Sequence, residues 1–147
     1  MNLAYIAGFF DGEGSVTIQR QKYRSKNRSG VQLFLYIKIS NTDKSILETM
    51  RAFFGAGHVC SNGLPKKNQR KSWQWQASAS SALLVLKKLR PSIILKARQF
   101  DLAVQFQGRL NSYKHRSIRI VSPEELDYRK RIKSQITDLN RGLEKKP

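Results

Sequence analysis

Asp11 and Glu13 are the only acids before Asp43, and they lie in the run IAGFFDGEGSV, residues 6–16, among Gly8, Gly12 and Gly14. Two carboxylates in a glycine-rich turn can serve hard-oxygen chemistry. Mg²⁺ is held by one or two carboxylates, with carbonyls, waters and a substrate phosphate completing the shell. Such an ion activates water and stabilises a leaving oxygen in phosphodiester hydrolysis. Asp11 could equally cap a helix or pair with a base. Glu13 falls at the end of an apolar helical run, where the helix dipole disfavours an anion unless a cation stands nearby.

Other chemistries find no residues. Gly12-Glu13-Gly14 lacks the Gly-Lys-Ser/Thr of a phosphate-binding loop. His58 and Cys60 are the only close pair of soft ligands, too few for zinc. No Gly-x-Ser-x-Gly is present, and His115, in a basic stretch, reads as a phosphate contact rather than a catalytic base. The lone cysteine, Cys60, allows no internal disulfide and fits a reducing compartment. No apolar run is long enough to cross a membrane. Leu3–Phe10 has no basic flank and runs directly into acids, unlike a secretory signal.

Charge points to the partner. The 147 residues carry 28 Lys and Arg against 10 Asp and Glu, a formal charge of +18. Between Gly14 and Ile120 there are 21 bases and only three acids, Asp43, Glu48 and Asp101. A field of one sign this strong suits a polyanion, with nucleic acid first. The bases cluster in loops rather than along one amphipathic helix, which argues against a membrane surface.

The elements that must position these residues alternate in period. Residues 2–11 read as a helix capped by Asn2 and ended by Gly12 and Gly14. Residues 15–24 and 31–40 alternate with period two around a turn at SKNRSG, giving a long hairpin. Asn41 or Thr42 caps a helix over DKSILETMRAFF, stopped by Gly55 and Gly57. HVCSNG and SWQWQAS form a second hairpin around NGLPKKNQRK. Helices follow over Ala82–Leu89 and Ile93–Leu110, then a basic linker, RLNSYKHRSIR, and a last helix opened by Ser122-Pro-Glu-Glu.

This order predicts an α+β fold: a four-stranded antiparallel sheet with helices on one face. Val16, Ile18, Leu33, Leu35 and Ile37 belong to the core side, and Trp73 and Trp75 are taken with them; the opposite register of SWQWQAS would make the tryptophans stacking residues instead. The other side shows Thr17, Gln19, Gln21, Tyr23, Gln32, Phe34, Tyr36, Lys38, Gln74 and Gln76, with His58, Cys60 and Asn62 from the third strand. Amides, hydroxyls and a lysine with almost no acid are groups that bond base edges and phosphates. Arg20, Lys22, Arg24, Lys26 and Arg28 load the first hairpin, Lys66, Lys67, Arg70 and Lys71 the second, and Lys114 and Arg116 the linker.

The first helix has one face too many. LAYIAGFF is apolar all round. Leu3, Ile6 and Phe10 make one ridge, while Ala4, Gly8 and Gly12 make a stripe of small residues that permits close backbone approach. It docks either inside its own core or against a second copy of itself.

Residues 6–14, Ile-Ala-Gly-Phe-Phe-Asp-Gly-Glu-Gly, resemble the signature of the LAGLIDADG homing endonucleases. The αββαββα order, the strand ending KISNTDKSIL and the segment LRPSIILKARQFDL are similar to that family as well. The resemblance implies one domain over 1–147, with a core of about 1–110, a saddle-shaped sheet over the major groove and a C-terminal helix. It implies a homodimer joined through Ala4, Ala7, Gly8, Asp11 and Gly12, cutting both strands of a long pseudo-palindromic DNA site. Glu13, where the family usually carries Asp, and the Gly12 carbonyl would bind Mg²⁺, with Asp11 a structural acid. By position Asn41 would order catalytic water and Lys96 would sit near the scissile phosphate. A non-cleaving relative, acting on intron RNA as a maturase or on DNA as a regulator, would keep the same fold.

Overall fold

The computed structural model describes residues 1–25, 28–114 and 121–143, with side chains for all of these but 23–25, 28–31 and 114. Chain order is α1 (Leu3–Glu13), β1 (Gly14–Ser25), β2 (Arg28–Asn41), α2 (Lys44–Phe54), β3 (His58–Ser61), β4 (Trp73–Ser78), α3 (Ala79–Leu89), a 3-10 turn (Arg90–Ser92), α4 (Ala97–Lys114) and α5 (Pro123–Asn140). The strands form one sheet in the order β1-β2-β4-β3, every neighbour antiparallel. This is the α+β arrangement expected from the alternating periods.

α1 begins where Asn2 Oδ1 accepts the Tyr5 N–H at 2.8 Å. It does not stop at Gly12 but continues through Glu13 and passes into β1 with no intervening loop. Gly14 makes that junction possible. Its N–H donates to the Phe10 carbonyl, and a Cβ here would stand 2.4 Å from Phe10 Cδ1, so no other residue fits. At the far end of β1 the hairpin is tighter than the sequence suggested: Ser25 pairs with Arg28, so most of SKNRSG is strand.

The helices cover the face of the sheet that carries Val16, Ile18, Leu35, Ile37, Ile39 and Trp75, all buried. Ile6, Ala7 and Phe10 of α1 enter the same core, and Phe10 meets Phe100 of α4 edge-on at 5.3 Å between ring centroids. Burying Ile6, Phe10 or Phe100 contributes about 1.5–3 kcal/mol each. Trp75 Nε1 donates to the Ala56 carbonyl at 3.1 Å, which satisfies its one polar atom. Trp73 is half-buried on the same side, with the Lys44 and Lys71 ammonium groups 4.7 and 4.6 Å from its ring. Both tryptophans therefore take the core register.

Further boundaries moved, among them the start of α3, which is at Ala79 rather than Ala82. Asp43, not Asn41 or Thr42, caps α2, accepting the Ser45 N–H at 2.8 Å and the Ser45 hydroxyl at 2.6 Å. Residues 93–96 are not helical, and α4 starts at Ala97 and runs on to Lys114, into what read as linker. Ser122 caps α5 as expected, accepting the Glu125 N–H at 3.2 Å. α5 then buries Ile132 and Ile136, and Asn140 Nδ2 donates to the Val16 carbonyl at 2.8 Å, which fixes the helix to the edge strand. Glu125 is 1% exposed and accepts from Arg109 Nε at 2.5 Å and Arg129 Nε at 2.8 Å, joining α4 to α5. Among the described residues no helix is long and apolar enough to cross a membrane.

Candidate active site

Asp11 sits in the last turn of α1, 8% exposed. Its carboxylate accepts three backbone N–H groups from the segment ahead of α4: Ile94 and Leu95 on Oδ2 at 2.8 and 2.9 Å, and Lys96 on Oδ1 at 2.9 Å. Burial alone would raise its pKa. The N–H donors of Leu95, Ile94 and Lys96, together with the Lys96 charge, outweigh burial and hold it below the ordinary aspartate value. The same lysine closes the loop in the opposite sense. Its ammonium donates to the Asp11 carbonyl and lies 3.5 Å from the Gly12 carbonyl. Asp11 is thus a structural acid: the N–H groups of residues 94–96 are bound to it, while that of Ile93 donates to the Arg90 carbonyl, and none of the four is helical.

Three of the predicted chemical groups meet at this point. Glu13 is exposed at the last position of α1, the Gly12 carbonyl precedes it, and Lys96 Nζ is beside that carbonyl. Among the described residues no cluster of three His, Cys, Asp or Glu exists that could hold a metal by itself. The donor set is one carboxylate and one carbonyl, both hard oxygens of the kind Mg²⁺ accepts, with the remaining positions left to water and phosphate. The ammonium already lying against the Asp11 and Gly12 carbonyls shows that this helix end receives a cation, as the dipole requires. The residues therefore fit a hard divalent ion.

Asn41 ends β2, two residues past Ile39, the partner of Gly14. That places it beside the α1–β1 junction on the helix side of the sheet. Its Oδ1 accepts the Asp43 N–H at 2.8 Å, so it shapes the entry to α2 while keeping its Nδ2 donors.

The uncovered face of the sheet carries cross-strand rows. Ser15, Lys38, Gln76 and His58 lie in one row, Ser40, Gln74 and Cys60 in the next, and Thr17, Tyr36 and Ser78 in a third; Gln19 faces Phe34 and Gln21 faces Gln32. Glu13 immediately precedes β1 at the end of this array nearest Ser15. Gln21 Nε2 donates to Tyr36 Oη at 2.8 Å, and Gln74 Nε2 to Gln76 Oε1 at 2.8 Å. Thr17 shares the face, but its Oγ1 is enclosed and has no partner among the described residues.

Several expected contacts are placed elsewhere. Arg20 and Lys22 alternate with Gln19 and Gln21 and so belong to the opposite side. Arg20 lines a groove of about 640 Å³ with Leu33 and, from α5, Lys130 and Lys133. Lys71 folds over Trp73, and Asn62 closes the neck of its own loop through Ser72 Oγ at 3.0 Å, while Lys66, Lys67 and Arg70 are exposed in that loop. The side chains of Tyr23, Arg24, Arg28 and Lys114, and Lys26, His115 and Arg116 entirely, lie outside the described residues.

On α1 the small-residue stripe divides. Ala4, Gly8 and Gly12 are exposed, and a Cβ added to either glycine would meet nothing within 4 Å. Ala7 is fully buried in its own core and Asp11 is held by the 94–96 segment, so neither presents a surface to a partner. Sequence reasoning missed Ile94 and Leu95, 81% and 76% exposed, on the segment bound to the end of α1. The sequence placed them in a helix over Ile93–Leu110 and gave them no role; a carboxylate that binds three consecutive backbone N–H groups leaves their side chains outside.

Residues 6–101 match the sequence profile of the LAGLIDADG endonuclease family. No curated protein matches the chain in sequence. Among solved structures it resembles the homing endonuclease I-CvuI, determined in complex with its target in the presence of calcium: TM-score 0.74, 22% identity, 93% of this chain and 80% of that one. The archaeal intron-encoded homing endonuclease I-Vdi141I, complexed with DNA, gives 0.71 at 21% identity over 96% and 91% of the two chains. The homing endonuclease I-TnaI gives 0.73 at 18% identity over 98% and 99%. At these identities the structures establish a shared fold.

Proposed function

The chain belongs to the LAGLIDADG endonuclease family, and from that premise we propose that it is a homodimeric, Mg²⁺-dependent enzyme that cuts both strands of DNA at a long, specific, pseudo-palindromic site. The observation that carries this reading is the meeting of an exposed Glu13, the Gly12 carbonyl and the Lys96 ammonium at the edge of an acid-free polar sheet face.

Glu13 and the Gly12 carbonyl would hold the ion, which when bound supplies an activated water and stabilisation of the departing oxygen. The rest falls to the chain. Lys96, held at the helix end by the Asp11 clamp, carries its positive charge to where charge develops on the phosphate, a preorganised electrostatic contribution. Asn41 offers its Nδ2 to order water. The exposed loop bases Lys66, Lys67 and Arg70 take the flanking phosphates, and the polar face enters the major groove. A second copy, packed through Ala4, Gly8 and Gly12 with Ile94 and Leu95 at the margin, brings a second Glu13 for the other strand under twofold symmetry.

A randomised duplex library, incubated with the full-length protein and Mg²⁺, tests the proposal. One enriched sequence with cuts in both strands is expected, and none with chelator. Library DNA that stays intact under all divalent conditions, despite binding, would refute it.

A further inference from the structure

We propose that each half-site is read as A·T pairs by the outer part of the β1–β2 hairpin, through Gln19, Gln21, Gln32, Phe34 and Tyr36, and as a guanine nearer the cut by Lys38. This deepens the proposed function and rests on it. The argument starts from which groups the outer rows contain. Gln21 donates one Nε2 hydrogen to Tyr36 Oη at 2.8 Å, a bond between side chains that start on different strands. That bond fixes the amide. Its Oε1 and its second Nε2 hydrogen remain as an acceptor–donor fork, the pattern that matches adenine N6 and N7. Tyr36 keeps its own O–H to donate. Phe34 is half-buried on the same face, opposite Gln19. An apolar ring on a groove-reading face suits a thymine methyl and bonds no base edge.

The second part is what these rows lack. Guanine is read by the paired donors of arginine or lysine reaching O6 and N7. Alternation sends Arg20 and Lys22 to the opposite side, where Arg20 joins Lys130 and Lys133. Among the described side chains Lys38 is the one lysine or arginine on the reading face, opposite Ser15 and Gln76; Arg28, opposite Ser25 at the hairpin tip, shares the register two rows beyond Gln21 and Gln32. From Ser15 to Gln21 the strand covers about 20 Å at ~3.3 Å per residue. At ~3.4 Å per base pair that places the Gln21–Gln32 row roughly six steps from Lys38 along each half-site, with Phe34 and Tyr36 between them.

The test is a binding selection with the full-length protein on randomised duplexes, scored base by base, repeated with Gln21→Ala, Phe34→Ala and Lys38→Gln. All three side chains stand on the uncovered face, outside the core. The expected wild-type profile has adjacent A·T pairs in the outer half-site and a guanine roughly six steps closer to the centre than the Gln21–Gln32 row. Gln21→Ala and Phe34→Ala should each lose about tenfold or more discrimination at the outer positions, and Lys38→Gln should change the inner guanine to adenine. G·C pairs at the outer positions would overturn the inference while leaving the endonuclease reading standing. So would a Lys38→Gln variant whose affinity and salt slope fall with its base preferences unchanged, since that is a phosphate contact. A profile with no enriched base anywhere would refute site-specific recognition itself, and this inference with it.

Discussion

Two side chains at the end of α1 divide the work that the acidic pair seemed to share. Asp11 is enclosed and saturated by backbone donors, whereas Glu13 is exposed. The Asp11→Asn variant keeps the shape but puts an NH₂ against a backbone N–H, and a buried donor left unmatched costs about 1–3 kcal/mol. Melting temperature should therefore fall. Because the folded pKa of Asp11 lies below its unfolded value, the carboxylate's contribution is complete above the ordinary aspartate pKa and is lost as pH falls through the folded one. The stability gap between wild type and Asp11→Asn should be constant near neutrality and close only in acid below about pH 4. A gap that closes between pH 6 and 8 would contradict the clamp. Lys96→Ala removes the ammonium from the Asp11 and Gly12 carbonyls. Single-turnover cleavage should drop by about tenfold or more while DNA affinity changes by less than about threefold, because a group aimed at developing charge acts on the transition state. Equal losses in both would reduce Lys96 to an ordinary phosphate contact.

At the scale of elements, the sequence carried the period of each segment and therefore the sheet and the helix-covered face; the register of Trp73 and Trp75, which either alternation allowed, was decided by the fold. It could not carry interactions between distant residues. The start of α4 was misplaced because Asp11 and Ile94 are far apart in the chain, and only the fold brings carboxylate and N–H together. Asn41 was weighed as a cap when the cap is Asp43, since both are good N-cap residues and the Asx turn at Asn41 precedes the helix. At the site, the roles proposed for Glu13 and Gly12 came from the resemblance of residues 6–14 to the family signature, and that of Lys96 from its position in LRPSIILKARQFDL. The enclosure of Ala7 and the exposure of Ile94 and Leu95 were not legible, because both depend on which side of α1 its own chain covers. The exposed loop between β3 and β4 allows a quantitative check. Neutralising Lys66, Lys67 and Arg70 should lower the slope of log affinity against log salt by about 0.9 per lost phosphate contact. Neutralising Lys71, which lies over Trp73, should leave the slope nearly unchanged. Four equal effects would mean that the loop rearranges on DNA.

For the whole molecule, the proposed assembly turns on the open stripe on α1. Gly8 has empty space where a side chain would go, so a larger residue is compatible with the folded chain taken singly. Gly8→Leu should keep secondary structure and cooperative melting yet sediment as a 16.9 kDa monomer, with double-strand cleavage lost. A Gly8→Leu protein that sediments and cuts like wild type would place the interface elsewhere.

The most direct test of the central claim, that two copies each contribute one Glu13 to cut one strand apiece, is cleavage of a supercoiled plasmid carrying the selected site by wild type, by Glu13→Gln, and by an equimolar mixture re-equilibrated between them. Wild type should give linear DNA. Glu13→Gln should bind within about tenfold of wild-type affinity, since phosphate contacts dominate binding, and leave the plasmid supercoiled. The mixture should accumulate nicked circles as its main new product, because a mixed pair has a single working carboxylate. Linear DNA from Glu13→Gln alone, or a mixture that yields linear product with no nicked circles, would contradict the account.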